Sequence, residues 1–361
     1  MPELFGMALT RRQLLQHVGD LRQVAGVRLA ELADGPERGV RVADVTTGSG
    51  FAFTVLLDRG MDIGAASYNG RPLAWQAQPG TPAPAFYEPE GLGWLRTFHG
   101  GLVATCGLAY AGAPSVDQGQ ALGLHGRISH IPARHVCADA NWEGDDYVIR
   151  VQGKLRETVV FGEDLLLTRR ITARLGESRL QIEDTVENIG HQLAPHMMLY
   201  HCNFGWPLIA EGAELIAPSI TVTPRDAVAQ AGVADYARFE APQPGYAEQV
   251  FFHEMEADAD GYVTAIVANR ALDGGRGLGA YVRYRQTELP RLIEWKQMGA
   301  GTYVVGIEPA NCLVLGRAEE RARGTLVILE PGETRAYFVE IGVLPDNAAI
   351  DALAARLPHA R

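Results

Sequence analysis

A histidine, an asparagine and a distant glutamate are the strongest candidates for chemistry in this sequence. In PHMMLYHCNFGWPL (residues 195–208), strand alternation places His201 and Asn203 side by side on one face. In GTYVVGIEPANC (residues 301–312), Glu308 ends a strand whose neighbouring side chains on that face are small, which leaves room for a ligand. An imidazole and a carboxylate that meet across one pocket can act as general acid and base. The alternatives are a buried structural histidine and an edge carboxylate held by an arginine.

Several further polar side chains are candidates for ligand binding. One pair closes an apolar strand in LLDRGMDIG, a second pair lies beside glycines in GLHGRISHIPA, and a lysine follows a tryptophan in IEWKQMG. Glycines at such positions allow close backbone approach. The candidates are Arg59, Asp62, His125, Arg127, Asn203 and Lys296. The cations would suit an anionic ligand if they point into a pocket, whereas structural ion pairs are the alternative for each charged residue.

Composition and charge exclude several classes of protein. The chain has 361 residues, 47% of them hydrophobic, with 41 glycines and 20 prolines, which predicts a turn-rich globular protein with a large core. The net charge of −11 repels phosphate backbones and anionic lipid, so we expect no nucleic-acid partner. No apolar stretch approaches the roughly 20 residues that cross a bilayer, so we expect no membrane association. Four scattered cysteines argue against a disulfide framework or a structural zinc site and favour a cytoplasmic location.

The hydrophobic pattern predicts strands nearly throughout. Helical spacing occurs only near the two ends, over residues 10–18 and 346–357. Segment 69–124, rich in glycine, proline and aromatic residues, is predicted to be a long ordered loop, and residues 317–323 a solvated turn. The strand-like runs are 40–45, 51–58, 146–157, 165–175, 178–188, 196–203, 214–222, 262–269, 278–285, 291–297, 302–308, 325–330 and 335–343. Because strands and helices do not alternate, we predict antiparallel sheets packed as a large sandwich.

Six motifs in order resemble a known family. RGMDIG, GGLVATCGL, GLHGRISHIPA, LYHCNFGWPL, WKQMG and VVGIEPAN look like those of the bacterial aldose 1-epimerase-like proteins of the DUF4432 type, in the galactose mutarotase-like superfamily. The resemblance covers residues 40–343. It implies an all-β fold, a large antiparallel β-supersandwich with short accessory helices at the termini. We expect one domain over residues 1–361, with an N-terminal extension (1–39) and a C-terminal helix (346–361).

The resemblance also implies a reaction, the interconversion of sugar anomers. His201 would be the general acid that protonates the ring oxygen, and Glu308 the base that takes the proton from the anomeric hydroxyl. His125 would bind sugar hydroxyls, and Arg59 lies roughly where the family has an Asn-Arg pair. The chain has HCNFGWPL where true aldose 1-epimerases have HxYFNL, and EPAN where they have ExQ. No metal or organic cofactor is required; the expected ligand is a sugar or sugar acid, and a homodimer is possible.

The sequence also predicts a pKa shift for His201 and leaves two alternative functions open. A carboxylate beside His201 would raise the pKa of its imidazole. One alternative is an isomerase or epimerase acting at another carbon, with a divalent ion held by His125, His201 and carboxylates such as Glu157 or Glu308, although the histidines show no HxH or HExxH spacing. The other is a non-catalytic carbohydrate-binding protein that stacks sugars on aromatic side chains; the candidates are Trp75, Trp94, Trp206 and Trp295.

Overall fold

Antiparallel strands are the main regular structure of the computed structural model, which describes residues 3–358. In the first half of the chain the strands are β1 (Glu3–Leu4), β2 (Met7–Ala8), β3 (Gly26–Glu31), β4 (Arg41–Thr46), β5 (Phe51–Leu56), β6 (Asp62–Tyr68), β7 (Arg71–Pro72), β8 (Ala104–Leu108), β9 (Ser115–Asp117), β10 (Gln120–Leu122), β11 (Arg134–Glu143), β12 (Asp146–Thr158) and β13 (Asp164–Arg174). In the second half they are β14 (Arg179–Asn188), β15 (Ala194–Gly205), β16 (Glu214–Ile216), β17 (Ser219–Pro224), β18 (Gln249–Met255), β19 (Tyr262–Asn269), β20 (Leu278–Arg285), β21 (Arg291–Gly299), β22 (Thr302–Ala310), β23 (Val327–Leu329) and β24 (Thr334–Leu344).

The α-helices are short, and two of the five in the described residues lie near the ends of the chain. They are α1 (Arg11–His17), α2 (Ala227–Gly232), α3 (Leu272–Gly275), α4 (Arg317–Ala322) and α5 (Asn347–Ala354). The two predicted helices are confirmed, and both begin at a side-chain cap: Thr10 accepts a hydrogen bond from the amide of Gln13, and Asp346 from that of Ala349. None of the helices in residues 3–358 is long and apolar enough to cross a membrane.

Two large antiparallel sheets carry the fold. One has eight strands in the order β11-β12-β13-β14-β24-β20-β19-β16. The other has the order β17-β18-β21-β22-β15-β23, and β8 also pairs with β15. A third sheet runs β3-β4-β5-β6-β7, and two hairpins (β1-β2 and β9-β10) complete the described strands. The predicted all-β antiparallel architecture is therefore confirmed.

The structure also corrects some local expectations. The predicted run 214–222 is two strands in different sheets, because Pro218 interrupts it. Segment 69–124 contains β8, which pairs with β15 in the site-bearing sheet. Residues 317–323 are not a solvated turn: Arg317–Ala322 form α4, and buried Arg317 donates to Asp117. Part of the predicted N-terminal extension (1–39) is strand β3, which pairs with β4. The assignment of the chain to a single domain stays a prediction.

A buried ion pair lies behind β15. Arg169 of β13 donates to the carboxylate of Asp184 at 2.6 and 2.9 Å, and also to the hydroxyl of Thr105 at 2.9 Å. Tyr200 of β15 donates to the same Asp184 carboxylate at 2.7 Å, while Asp62 accepts from the backbone and hydroxyl of Thr105. This network joins β6, β8, β13, β14 and β15. The ion pair with Arg169 explains why Asp184, a charged residue, lies on the apolar face of β14.

Loss of the Arg169 guanidinium should be far more costly than loss of an exposed neighbour. Arg169→Leu leaves two buried carboxylates without their cation, and we expect it to lower the free energy of unfolding by about 3–5 kcal/mol. Arg170→Leu is the matched control, because Arg170 is exposed and lies 3.7 Å from Glu183, a pair worth roughly 0–1 kcal/mol. Urea unfolding of both variants measures the difference; equal losses would contradict a supporting role for the network.

Candidate active site

One cavity of about 550 Å³ lies against the sheet that contains β15, β21 and β22. His201 of β15, Trp295 of β21 and Glu308 of β22 line it. These strands are neighbours in the order β21-β22-β15, and Gly306 of β22 pairs with both Asn203 and Trp295. The sheet register therefore brings an imidazole and a carboxylate from distant segments to the same cavity.

Asn203 fixes the orientation and the tautomer of His201. The amide nitrogen of Asn203 donates to the carbonyl oxygens of His201 and Gly101, at 2.9 and 3.1 Å. Its Oδ1 must then face Nδ1 of His201, at 2.5 Å, so Nδ1 carries a proton. In the neutral imidazole, Nε2 is consequently the free acceptor. Asn203 was predicted to bind substrate, but the structure places it beneath His201, fully buried and outside the lining of the cavity.

Nε2 of His201 lies 3.1 Å from Oε1 of Glu308. The two atoms are close, yet Oε1 has no hydrogen-bond partner with satisfactory geometry, so it is available to a ligand. Such loose contacts are common in ligand-free active sites and tighten when substrate binds. The buried carboxyl group of Glu308 thus already lies within reach of His201.

Burial drives the two pKa values in opposite directions. Desolvation lowers the pKa of His201 to about 4 and raises that of Glu308 well above its usual value, with the nearby Glu248 carboxylate adding to the rise. The direction for His201 is opposite to the sequence-based expectation, because removal from water outweighs the hydrogen bond to Asn203, which acts to raise the pKa. The ligand-free pair therefore favours neutral imidazole beside carboxylic acid.

Aromatic side chains form the wall around His201. Ring centroids of Phe98 and Trp295 lie 5.4 and 5.3 Å from that of His201. Trp75 packs against Trp295, and Trp94 stacks on Phe98. Three of these four aromatics come from segment 69–124, and all four line the cavity. Trp206, also proposed from sequence as a stacking residue, is 70% exposed and lies outside it.

His125 is the third predicted site residue that lines the cavity. Its ring centroid is 5.8 Å from that of His201, and its Nδ1 is buried without a partner. The backbone is pinned on both sides, since the His125 amide donates to Gly112 and its carbonyl accepts from Gly107. Burial lowers the pKa of His125 to about 3, so its ring is neutral and can both donate and accept.

Two predicted substrate ligands have other partners. The Arg59 guanidinium is fully buried and donates to the carbonyl oxygens of Pro82, Thr97 and Ser129, each at 2.7–2.8 Å. Asp62 belongs to the network around Arg169, and burial raises its pKa to about 6. Neither residue lines the cavity. The charged side chains of the motif RGMDIG instead join loops and sheets.

Two other cations also point elsewhere. Nζ of Lys296 is buried on the opposite face from Trp295 and donates to Glu240 and to the carbonyls of Asp235 and Arg238. Arg127 is exposed and sits over the ring of Tyr87 at 6.0 Å. Strand alternation accounts for Lys296, since successive side chains on β21 face opposite sides. Arg59, Asp62, Arg127 and Lys296 are therefore corrected from substrate ligands to residues outside the cavity.

Two charged residues of the cavity were missed from sequence. Arg225 donates to Glu248 at 3.0 Å and to Asp226 at 2.8 Å, and Glu248 also accepts from the indole nitrogen of Trp295 at 2.8 Å. Both Arg225 and Glu248 line the cavity. They follow no motif, and their pairing joins segments 23 residues apart, so no local pattern could have identified them.

Metal ligands do not converge in the described part of the chain. Within residues 3–358, no group of three or more His, Cys, Asp or Glu side chains is arranged to hold an ion. Glu157, the carboxylate considered for such a site, instead accepts hydrogen bonds from the amides of Leu108 and Ala109. It does not line the cavity.

Comparison with known proteins identifies the family. The profile of the domain of unknown function DUF4432 matches residues 37–343. The chain belongs to the DUF4432 family. A search of curated proteins found no match.

Solved structures share the fold of this DUF4432 protein. A candidate aldose 1-epimerase from Klebsiella pneumoniae subsp. pneumoniae MGH 78578 superposes with a TM-score of 0.86 at 26% identity, covering 96% of this chain and 89% of that one. A galactose mutarotase-like protein from Clostridium acetobutylicum gives 0.63 at 12% identity, with coverages of 89% and 99%. Galactose 1-epimerase from Lactobacillus acidophilus NCFM gives 0.55 at 14% identity, with coverages of 88% and 98%. The galactose mutarotase-like fold predicted from sequence is confirmed.

Gly306 keeps open the space between the two candidate catalytic groups. A Cβ at this position would lie 2.5 Å from Oε1 of Glu308 and 3.3 Å from Cε1 of His201. Gly306→Ala should displace the carboxylate and lower turnover by roughly 100-fold, the penalty for misplacing a reacting group by about 1 Å. Gly301→Ala is a control, because a Cβ there meets no atom within 4 Å although its positive φ adds strain. Equal turnover of the two variants would contradict the role of Gly306.

Proposed function

We propose that this DUF4432 protein is a carbohydrate epimerase that interconverts the anomers of a reducing sugar by acid–base ring opening. The observation that carries the proposal is the approach of His201 Nε2 to Glu308 Oε1, 3.1 Å apart at an aromatic-lined cavity. The Klebsiella relative's description as a candidate aldose 1-epimerase supports the same reaction class. A protein that only binds sugar needs hydrogen-bonding groups, but it does not need this matched pair.

The pair holds one proton that either group can carry. Asn203 keeps Nδ1 of His201 protonated, so Nε2 is the site that titrates. Neutral imidazole with carboxylic acid and imidazolium with carboxylate differ only in where this proton lies. Burial favours the neutral form in the empty cavity, whereas hydrogen bonds from sugar hydroxyls to the carboxylate favour the charged form. Substrate binding would thus move the proton from Glu308 to His201.

The reaction then follows from two proton transfers. Glu308 removes the proton from the anomeric hydroxyl while Nε2 of His201 protonates the ring oxygen. The bond between C1 and the ring oxygen breaks, and an open-chain aldehyde forms. Rotation about C1–C2 presents the other aldehyde face, and reversal of both transfers closes the opposite anomer. Each positioned transfer contributes roughly 100- to 10,000-fold to the rate.

Removal of either group should abolish the catalysed reaction. In His201→Ala no group can protonate the ring oxygen, and in Glu308→Gln none can take the anomeric proton. We expect each variant to lose at least 100-fold in kcat. Polarimetry on freshly dissolved anomers, with spontaneous mutarotation subtracted, measures the loss. Circular dichroism controls for folding, and near wild-type rates in a folded variant would reject the assignment.

The pH profile should report the shifted pKa values of the pair. On the acid side, activity falls as His201 gains a proton while Glu308 is already protonated, with a midpoint near the lowered value of about 4. On the alkaline side, it falls when the pair loses its shared proton. The acid limb of kcat/KM should therefore lie well below pH 6.5, the usual histidine value. An acid limb centred near 6.5 would show that His201 is not desolvated.

A further inference from the structure

The cavity lacks a cation that is free to bind an anionic sugar. Among its lining residues in the described chain, Arg225 is the single arginine or lysine, and two carboxylates already occupy its guanidinium. Two acidic residues, Glu248 and Glu308, line the same space. A phosphate or carboxylate group would lose its hydration there without gaining an unpaired cation.

Three residues that line the cavity near His201 carry polar atoms without a hydrogen-bond partner. Oε1 of Glu308, Nδ1 of His125 and Nε1 of Trp94 are buried and make no hydrogen bond. The rings of His125 and Trp94 have centroids 4.8 Å apart, and His125 neighbours His201. Two other polar side chains that line the cavity already have hydrogen-bond partners. Gln78 donates to Gly301 and Thr302, and Glu248 accepts two hydrogen bonds. One end of the cavity is thus suited to sugar hydroxyls.

The remainder of the lining is mainly apolar and continues to the surface. Leu92 and Leu95 line the cavity although they are 60% and 48% exposed. Their segment is anchored, because Trp94 between them is buried and the Leu124 amide donates to the carbonyl of Gly91 at 2.9 Å. Further apolar lining residues are Pro79, Ala113, Pro114, Leu124, Val250 and Val314. This apolar part of the lining has few hydrogen-bond partners for the hydroxyls of an unsubstituted sugar.

From these observations we propose that the cavity binds an uncharged sugar bearing an apolar substituent away from its reacting carbon, with the substituent against Leu92 and Leu95. The inference rests on the proposed function for the orientation of the sugar. A volume of about 550 Å³ falls within the roughly 300–1,000 Å³ typical of sites for drug-sized ligands, so both parts can be accommodated. The substituent would cover leucine surface that water contacts in the empty protein.

Binding can be measured separately from turnover. Trp75, Trp94 and Trp295 line the cavity, so tryptophan fluorescence should report occupancy. The probes are glucose and galactose, their 3-O-, 4-O- and 6-O-benzyl ethers, glucuronate and glucose 6-phosphate. We expect at least one benzyl ether to bind roughly tenfold or more tightly than its parent sugar, and both anions to bind more weakly. NMR exchange spectroscopy on the same compounds measures anomer interconversion.

Variants test whether Leu92 and Leu95 account for the tighter binding of the benzyl ether. Leu92→Ser with Leu95→Ser should reduce the preference for the benzyl ether to below threefold. Leu15→Ser is the matched control, since Leu15 of α1 is 45% exposed and outside the cavity, and it should leave the preference unchanged. Tighter binding of either anion, or no preference for any benzyl ether, overturns the inference even if sugars are epimerised. Selective binding of a benzyl ether without anomer exchange supports the inference and rejects the proposed reaction.

Discussion

The ion pair between Arg169 and Asp184 fixes which face of β15 meets the cavity. Tyr200 donates to Asp184 on the core side of the strand, so the next residue, His201, must project to the opposite side. A shift of one residue would exchange the two faces and bury the imidazole in the core. The position of the candidate general acid therefore depends on an interaction that lies behind the sheet and never touches a ligand.

Desolvation is the second constraint, and it determines the chemistry of the pair. The aromatic wall excludes water from His201 and Glu308, which shifts their pKa values in opposite directions. Asn203 supplies what burial alone does not, a fixed tautomer with Nε2 directed at the carboxylate. In a solvated site with the same residues, imidazolium and carboxylate would coexist only between about pH 4.3 and 6.5, the usual pKa values of glutamate and histidine. Burial therefore leaves the pair of His201 and Glu308 with one proton that either group can carry.

The charged residues of the family-like motifs have structural roles that support this wall. Arg59 joins three carbonyl groups from separate loops, including that of Thr97 beside Phe98. Lys296 holds the segment around Glu240 from the other face of β21, while Trp295 faces the cavity. A guanidinium or ammonium group satisfied by several buried oxygens is a strong anchor for irregular backbone. Arg59 thereby ties together the segment between β7 and β11, which the pairing of β8 with β15 also joins to the sheet.

Local pattern was enough to predict much of the fold and the residues at the centre of the candidate site. Period-two alternation determined that His201 and Asn203 share a face and that Lys296 opposes Trp295, because adjacent side chains of any strand diverge in the same way. Only the tertiary structure decided that Asn203 supports the histidine, that Arg225 and Glu248 enter the cavity, and that the pKa of His201 falls. Those properties come from contacts between distant segments and from burial away from water, which no stretch of sequence specifies by itself.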